Sequence, residues 1–344
     1  MRTVTFASLI IVSGALTACT TTAPVADVAL VETAVGALEV PDVEPIQTTR
    51  LAPTIAHELL AREHEIMVEV GVEDADALHT QSVAALDAFL DEATARVDSL
   101  PEGSQPGDVF HAIQMTFSSQ RYALQVPTLL LTDALTTGNY DCDTGSLLFL
   151  SVAQRADLPL ELVEVPEHNF VRWSSGAVSL NWDINDATSY TDARYIDGWY
   201  VKRHTEPDSD PTYGGYMVPH TRDHIDGYHD FLLGLYAARA GRRGLEEELL
   251  RSSIALRPGV GKSLAGLAWL YASHEDFAAE EYQKKALEYG RAAYDRLPGD
   301  EFFQKVYSCA LATNGLFAEA AEFERAHGAS EWRLERYADN RDCR

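Results

Sequence analysis

The sequence predicts an α+β fold: helices packed on a small antiparallel sheet, followed by an all-α domain of helical hairpins. Three observations carry this. Residues 160–183 hold three short β-prone runs, LELVEV, NFVRW and VSLNWD, separated by turn-forming residues. The run 143–156 before them repeats apolar residues at three- and four-residue spacing, as a buried helix face does. From about residue 224 to 328, helix-length segments alternate with breaks at Gly241, Pro258, His274, Pro298-Gly299 and Gly315.

Taken in order, the chain begins with Arg2, an apolar run over 4–16 and Leu16-Thr17-Ala18-Cys19. This reads as a signal peptide over 1–18, too short to span a bilayer. It resembles that of bacterial lipoproteins, which implies cleavage before Cys19 and lipid modification of that residue. Thr20 stands where an Asp would retain the protein at the inner membrane. By that analogy the expected address is the outer membrane, facing the periplasm, with multiple acyl chains giving stable anchoring. Residues 19–50, rich in Thr, Ala, Val and Pro, read as a tether with a reach of about 30 Å. Residues 56–70 and 77–97 carry helical periodicity; residues 100–107 form a loop, and helices resume at Asp108.

The stretch 138–183 carries the chemistry. Asp141, Asp143 or Thr144 could cap the helix that follows, placing Cys142 at its N-terminal end. Orphan amides and the positive end of the helix dipole favour a thiolate there. If 174–177 is a four-residue hairpin loop in which Trp173 faces Val178, then His168 lies directly opposite Asp183. That register puts His168, Phe170, Arg172, Ser179, Asn181 and Asp183 on a mostly polar face. Asn169, Val171, Trp173, Val178, Leu180 and Trp182 take the largely apolar one. Cys142, His168 and Asp183 thus have the types and order of a nucleophile, its base and the group that orients the base. Backbone amides near Cys142 would supply an oxyanion hole; Asn139 is a side-chain candidate.

Gly138 four residues before Cys142, a helix ending before Leu158-Pro159, the run Val165-Pro-Glu-His-Asn-Phe-Val-Arg-Trp173 and then Asn181-Trp-Asp183 resemble the core of the transglutaminase-like superfamily. That superfamily shares the papain-type cysteine-peptidase fold, and residues 106–135 resemble the helices preceding its nucleophile. The resemblance covers about a third of the chain and matches Cys142, His168 and Asp183 to the catalytic triad. The gap of twenty-six residues between Cys142 and His168 is close to that of the compact bacterial members. Asp141 and Asp143 depart from the pattern, because flanking carboxylates oppose thiolate formation.

Beyond Asp183, residues 184–216 read as irregular, a wrap over a domain junction or a functional loop. Glu206, Asp208 and Asp210 lack the spacing of a calcium loop. His220, His224 and His229 suggest a zinc-binding lipoprotein as a minor reading, but no zinc-protease signature accompanies them and no metal is expected. The helices expected at 228–240, 244–256, 262–273, 278–297, 301–314 and 317–327 are similar to tetratricopeptide repeats. Leu233-Gly234 and Leu267-Ala268 with Tyr271 fit the first-helix signature. The middle repeat is about six residues longer than the usual thirty-four. Domain limits are therefore expected at 51–216 for the thiol domain and 217–344 for the helical one.

A net charge of −26 over 344 residues argues against nucleic acid and against electrostatic adhesion to anionic lipid. With Cys19 acylated, three of the four cysteines remain, and an oxidising compartment favours a Cys309–Cys343 disulfide that leaves Cys142 as the thiol. The expected activity is amide acyl transfer, chiefly hydrolysis of a peptide or peptidoglycan-stem amide, by a monomer needing no cofactor. The alternative is a non-catalytic envelope scaffold that captures a protein partner on its helical repeats.

Overall fold

The computed structural model describes residues 52–198, 215–328, 331–339 and Cys343. The signal and tether, Cys19, Glu206, Asp208 and Asp210 lie outside those residues. The architecture is mixed: helices on a small antiparallel sheet, then a helical region.

Helices α1 (Ile55–Val70), α2 (Ala75–Asp98), α3 (Pro106–Ser119) and α4 (Leu131–Thr137) precede the Cys142 segment. A two-residue parallel pair, β1 (Ala123–Leu124) with β2 (Asn139–Tyr140), leads into α5 (Cys142–Ala156). Asp141 starts α5 as its N-cap, its carboxylate taking the Thr144 amide at 3.1 Å and the Thr144 hydroxyl at 3.0 Å. Asp157, in the left-handed region at φ 50°, ends it just before Leu158-Pro159. Eleven residues of α5 are buried, Ser146 and Ser151 among them, as expected of a helix enclosed on all sides. It packs on α1 and α2 and, across from them, on the sheet.

The sheet runs β3 (Leu160–Val165), β4 (His168–Ser175), β5 (Val178–Asp183) and β6 (Thr188–Tyr190), each antiparallel to the next. Its register corrects the expectation. Ser175 pairs with Val178 and Trp173 with Leu180, so the turn is the two residues Gly176-Ala177, not four. Gly176 takes φ 59°, which the tight turn needs. The slip is by two residues, an even number, so every side chain keeps its expected face. His168 and Asp183 share a face but meet diagonally instead of head-on.

The polar face is also buried, contrary to the one-sided hairpin expected. Tyr195, from α6 (Asp192–Asp197), stacks on Phe170 with ring centroids 4.1 Å apart, and Met217 joins Val163 and Val165 there. Arg172 and Asn181 tolerate burial because they bond each other at 2.8 Å and share Asp192 Oδ1, each at 2.7 Å. The other face carries Leu162, Val171 and Trp182 into the main core, where Phe110 stacks on Trp182 at 5.4 Å. The segment returning at 217–220 runs along β3. The Met217 and His220 amides donate to Glu164 and Leu162 carbonyls at 2.9 and 2.8 Å, covering an otherwise open edge.

The helical region comprises α7 (Arg222–Arg239), α8 (Arg243–Leu256), α9 (Gly261–Ser273), α10 (Glu280–Arg296), α11 (Glu301–Thr313), α12 (Phe317–Ala326) and α13 (Glu331–Ala338). Consecutive helices pack as hairpins, α7 on α8, α9 on α10 and α11 on α12. Small residues sit at the crossings: a Cβ on Gly234 or Gly266 would meet Leu250 at 3.3 or 3.2 Å. A disulfide joins Cys309 to Cys343 across a Cα separation of 5.6 Å, and Cys142 stays a thiol.

The two halves share a seam. Ile225 enters the core around α5, while Tyr228, Leu232 and Leu233 pack with Ile66, Leu129 and Leu130. Glu63 of α1 is wholly buried there. It accepts from the Leu131 and Thr132 amides at 2.8 Å each and lies 3.0 Å from His229 Nε2.

Candidate active site

His168 opens β4 and Asp183 closes β5, and both are buried, at 2% and 3% exposure. The His168 Nε2 to Asp183 Oδ2 distance is 2.8 Å. Asp183 is held further by the Tyr195 hydroxyl at 3.2 Å and by the Asn185 and Asp186 amides at 3.1 and 3.2 Å. Burial works to raise its pKa, but these donors and His168 outweigh it and hold the carboxyl below its ordinary value. An ionised Asp183 fixes the orientation of the imidazole it grips.

Cys142 is the first residue of α5 and is buried at 6% exposure. Its thiol lies 3.5 Å from Asp143 Oδ1. The same oxygen accepts from Asn169 Nδ2 at 2.6 Å, tying the start of α5 to the start of β4. Cys142 and His168 are the chain neighbours of that bonded pair. Gly145 completes the docking: a Cβ there would stand 2.9 Å from Ile184 and 3.1 Å from Tyr140, so the first turn of α5 abuts the end of β5. The structure thus brings His168 and Asp183 into direct contact and seats the Cys142 helix start against the strand ends that carry them. Asn139 lies in β2, two residues before the cap.

The two flanking acids differ. Asp141, 3% exposed, also takes the Thr128 amide at 2.8 Å. Burial, and then Asp143 beside it, push its carboxyl up to about 7. A carboxyl raised in this way opposes a Cys142 thiolate less than one at its ordinary pKa would. Asp143 is the acid that touches the sulfur.

Sequence reasoning misses several residues around the site. Tyr228 of α7 is buried and its hydroxyl bonds Asp143; burial above all lifts its pKa well above the ordinary phenol value. Glu164 of β3 is fully buried and held by Arg257, by Lys262 at 3.0 Å and by His220 at 3.6 Å. Burial alone would raise its pKa, yet Arg257, Lys262 and His220 bring it down to about 2. An acid between Val163 and Val165, within the apolar end of the strand, is the available signal for Glu164. His220 and His229 are thus engaged with Glu164 and Glu63, and no group of three metal-ligating side chains occurs among the described residues.

No family model, curated protein or solved structure matches the chain. Its chemistry is therefore inferred from the geometry of these residues.

Proposed function

We propose that this chain is a thiol hydrolase acting on an amide, with a transglutaminase-like core and tetratricopeptide-like repeats, anchored in the cell envelope through lipid on Cys19. The observation that carries the reading is the buried His168–Asp183 pair at 2.8 Å, set beside a helix that begins with a cysteine. With Nε2 on Asp183, Nδ1 is the ring nitrogen that takes the proton of Cys142. The sulfur attacks the amide carbon and forms a tetrahedral oxyanion. Collapse expels the amine, protonated by His168, and leaves a thioester that water hydrolyses. Hydrolysis is favoured over cross-linking because water needs no second substrate site. The substrate is a peptide or a peptidoglycan-stem amide, a choice that rests on compartment.

The test is the pH dependence of Cys142 alkylation by iodoacetamide in the mature chain, read by peptide mass, with His168→Ala and Asp183→Asn alongside. The expected result is an apparent pKa well below the ~8.5 of an ordinary thiol, lost in His168→Ala. A Cys142 that titrates as an ordinary thiol in all three proteins refutes the reading. The contact of the thiol with Asp143 favours a second reading, since a carboxylate accepting from S–H stabilises the neutral form. On that reading the fold is non-catalytic and the repeats capture a protein partner.

A further inference from the structure

The helical half reaches the site with side chains that the hydrolytic scheme leaves unused. Tyr228 bonds Asp143 through its hydroxyl, and two cations lie over its ring: Arg257 at 5.0 Å and Lys262 at 5.7 Å from the centroid. Both cations also contact Glu164. Two permanent positive charges thus share Glu164, and Asp143 acts on Lys262 from the hydroxyl end of the Tyr228 ring. His220, the third group on Glu164, adds no charge at neutral pH, because burial holds its pKa down at about 4.

Donors exceed acceptors around this cluster. The Arg257 side chain is 1% exposed, yet its Nε and Nη1 meet no acceptor among the described residues. The buried Tyr216 hydroxyl likewise has none, while the acceptors His220 Nδ1 and Asn169 Oδ1 meet no donor among the described residues. Burying such groups unsatisfied costs about 1–3 kcal/mol each, so natural proteins keep them for a reason. Asp143, at the hydroxyl end of the Tyr228 ring, does not meet the demand, being already shared by Cys142, Asn169 and Tyr228. Lys262, with 21% of its side chain exposed, is the member of the cluster that reaches solvent.

We propose that Arg257 and Lys262, stacked over Tyr228, form a carboxylate-recognition subsite beside Cys142. The amide acted on then carries a free carboxylate close to the scissile bond. The unpaired Nε and Nη1 edge of a planar guanidinium suits a carboxylate, which it can meet with two parallel hydrogen bonds. The inference deepens the thiol-hydrolase reading and rests on it for the identity of the reaction, but its test does not need turnover.

The test uses the mature chain carrying Cys142→Ala, which cannot react, with N-acetylglycine and its uncharged counterpart N-acetylglycinamide as probes. Affinities are measured by ligand-observed NMR. The acid is expected to bind at least about tenfold tighter than the amide, the scale of one charge-assisted hydrogen bond. Adding Lys262→Met should erase the difference while leaving amide binding unchanged. Equal affinity for the two probes, or a preference that survives Lys262→Met, overturns the subsite. Arg257→Gln is the companion variant; should it fail to fold, the partly exposed Lys262 alone decides. Loss of carboxylate preference with a normal low-pKa Cys142 would sink the subsite and spare the hydrolase. The reverse pattern would do the opposite.

Discussion

Replacing Glu164 with Gln tests whether the two halves are joined by charge. The carboxylate is fully buried and binds Arg257 and Lys262 from the helical half. Its pKa falls from 4.5 to about 2, and at about 1.4 kcal/mol per unit this corresponds to about 3 kcal/mol at neutral pH. Removing one member of a buried ion pair costs about 3–5 kcal/mol by comparison with other proteins, so the two figures agree. Glu164→Gln is therefore expected to lose about 3 kcal/mol at pH 7. Urea unfolding would show it, followed by the fluorescence of Trp173 and Trp182 in the sheet and Trp269 in the helices.

The pH dependence adds a signature. A depressed carboxyl pKa gives stability that is whole above about pH 4.5 and lost as pH falls toward 2. His220, lowered from 6.5 to about 4 chiefly by burial, gives stability lost between those values as the unfolded chain takes up a proton first. Glu164→Gln should abolish the lower step and keep the upper one. A variant within about 1 kcal/mol of the parent at pH 7 would refute the reasoning, because that is the range of a solvated surface pair.

Two further outcomes are expected at the site and at the C-terminal tail. Gly145→Ala should cost about 1–3 kcal/mol by thermal unfolding, since the new methyl meets Ile184 at 2.9 Å. It should also weaken the low-pH alkylation of Cys142 by moving the helix start off the strand ends, and unchanged stability would show that the first turn is not tightly seated. Mass-spectrometric thiol counting on denatured protein starting after residue 50 should give one thiol without reductant and three with it, given the Cys309–Cys343 bond. Three thiols without reductant would remove the disulfide.

The parts of the site that local pattern controls are legible in the sequence. Cys142 at the helix start and His168 and Asp183 on one strand face follow from spacing and strand alternation, whereas spacing leaves the cap open among Asp141, Asp143 and Thr144 and the structure selects Asp141. The hairpin register differs from expectation because Ser174 and Ser175 have the composition of a turn, yet Ser174 pairs with Ser179. Only Gly176-Ala177 turns the chain, and the parity of a two-residue slip protects the face assignment. The burial of the polar face is not legible. Arg172 and Asn181 look solvated until Asp192 of α6 is seen to satisfy both. Nor can pattern reveal that Glu164 meets Arg257, ninety-three residues away, because no local period couples a strand acid to a residue just past the end of a distant helix.

The seam fixes an order of events in the making of the protein. Glu63 and Glu164 lie in the first half, but His229, Arg257 and Lys262, which face them in the dry interior, come later. A chain emerging from the ribosome up to residue 216 can give Glu63 the Leu131 and Thr132 amides but holds a Glu164 whose cationic partners have not yet been made. The strand beside His168 can therefore settle only once residue 262 has emerged, so the thiol centre assembles late in synthesis. A premature stop anywhere between would release a half-molecule with a buried-type anion turned to solvent, a ready substrate for proteases.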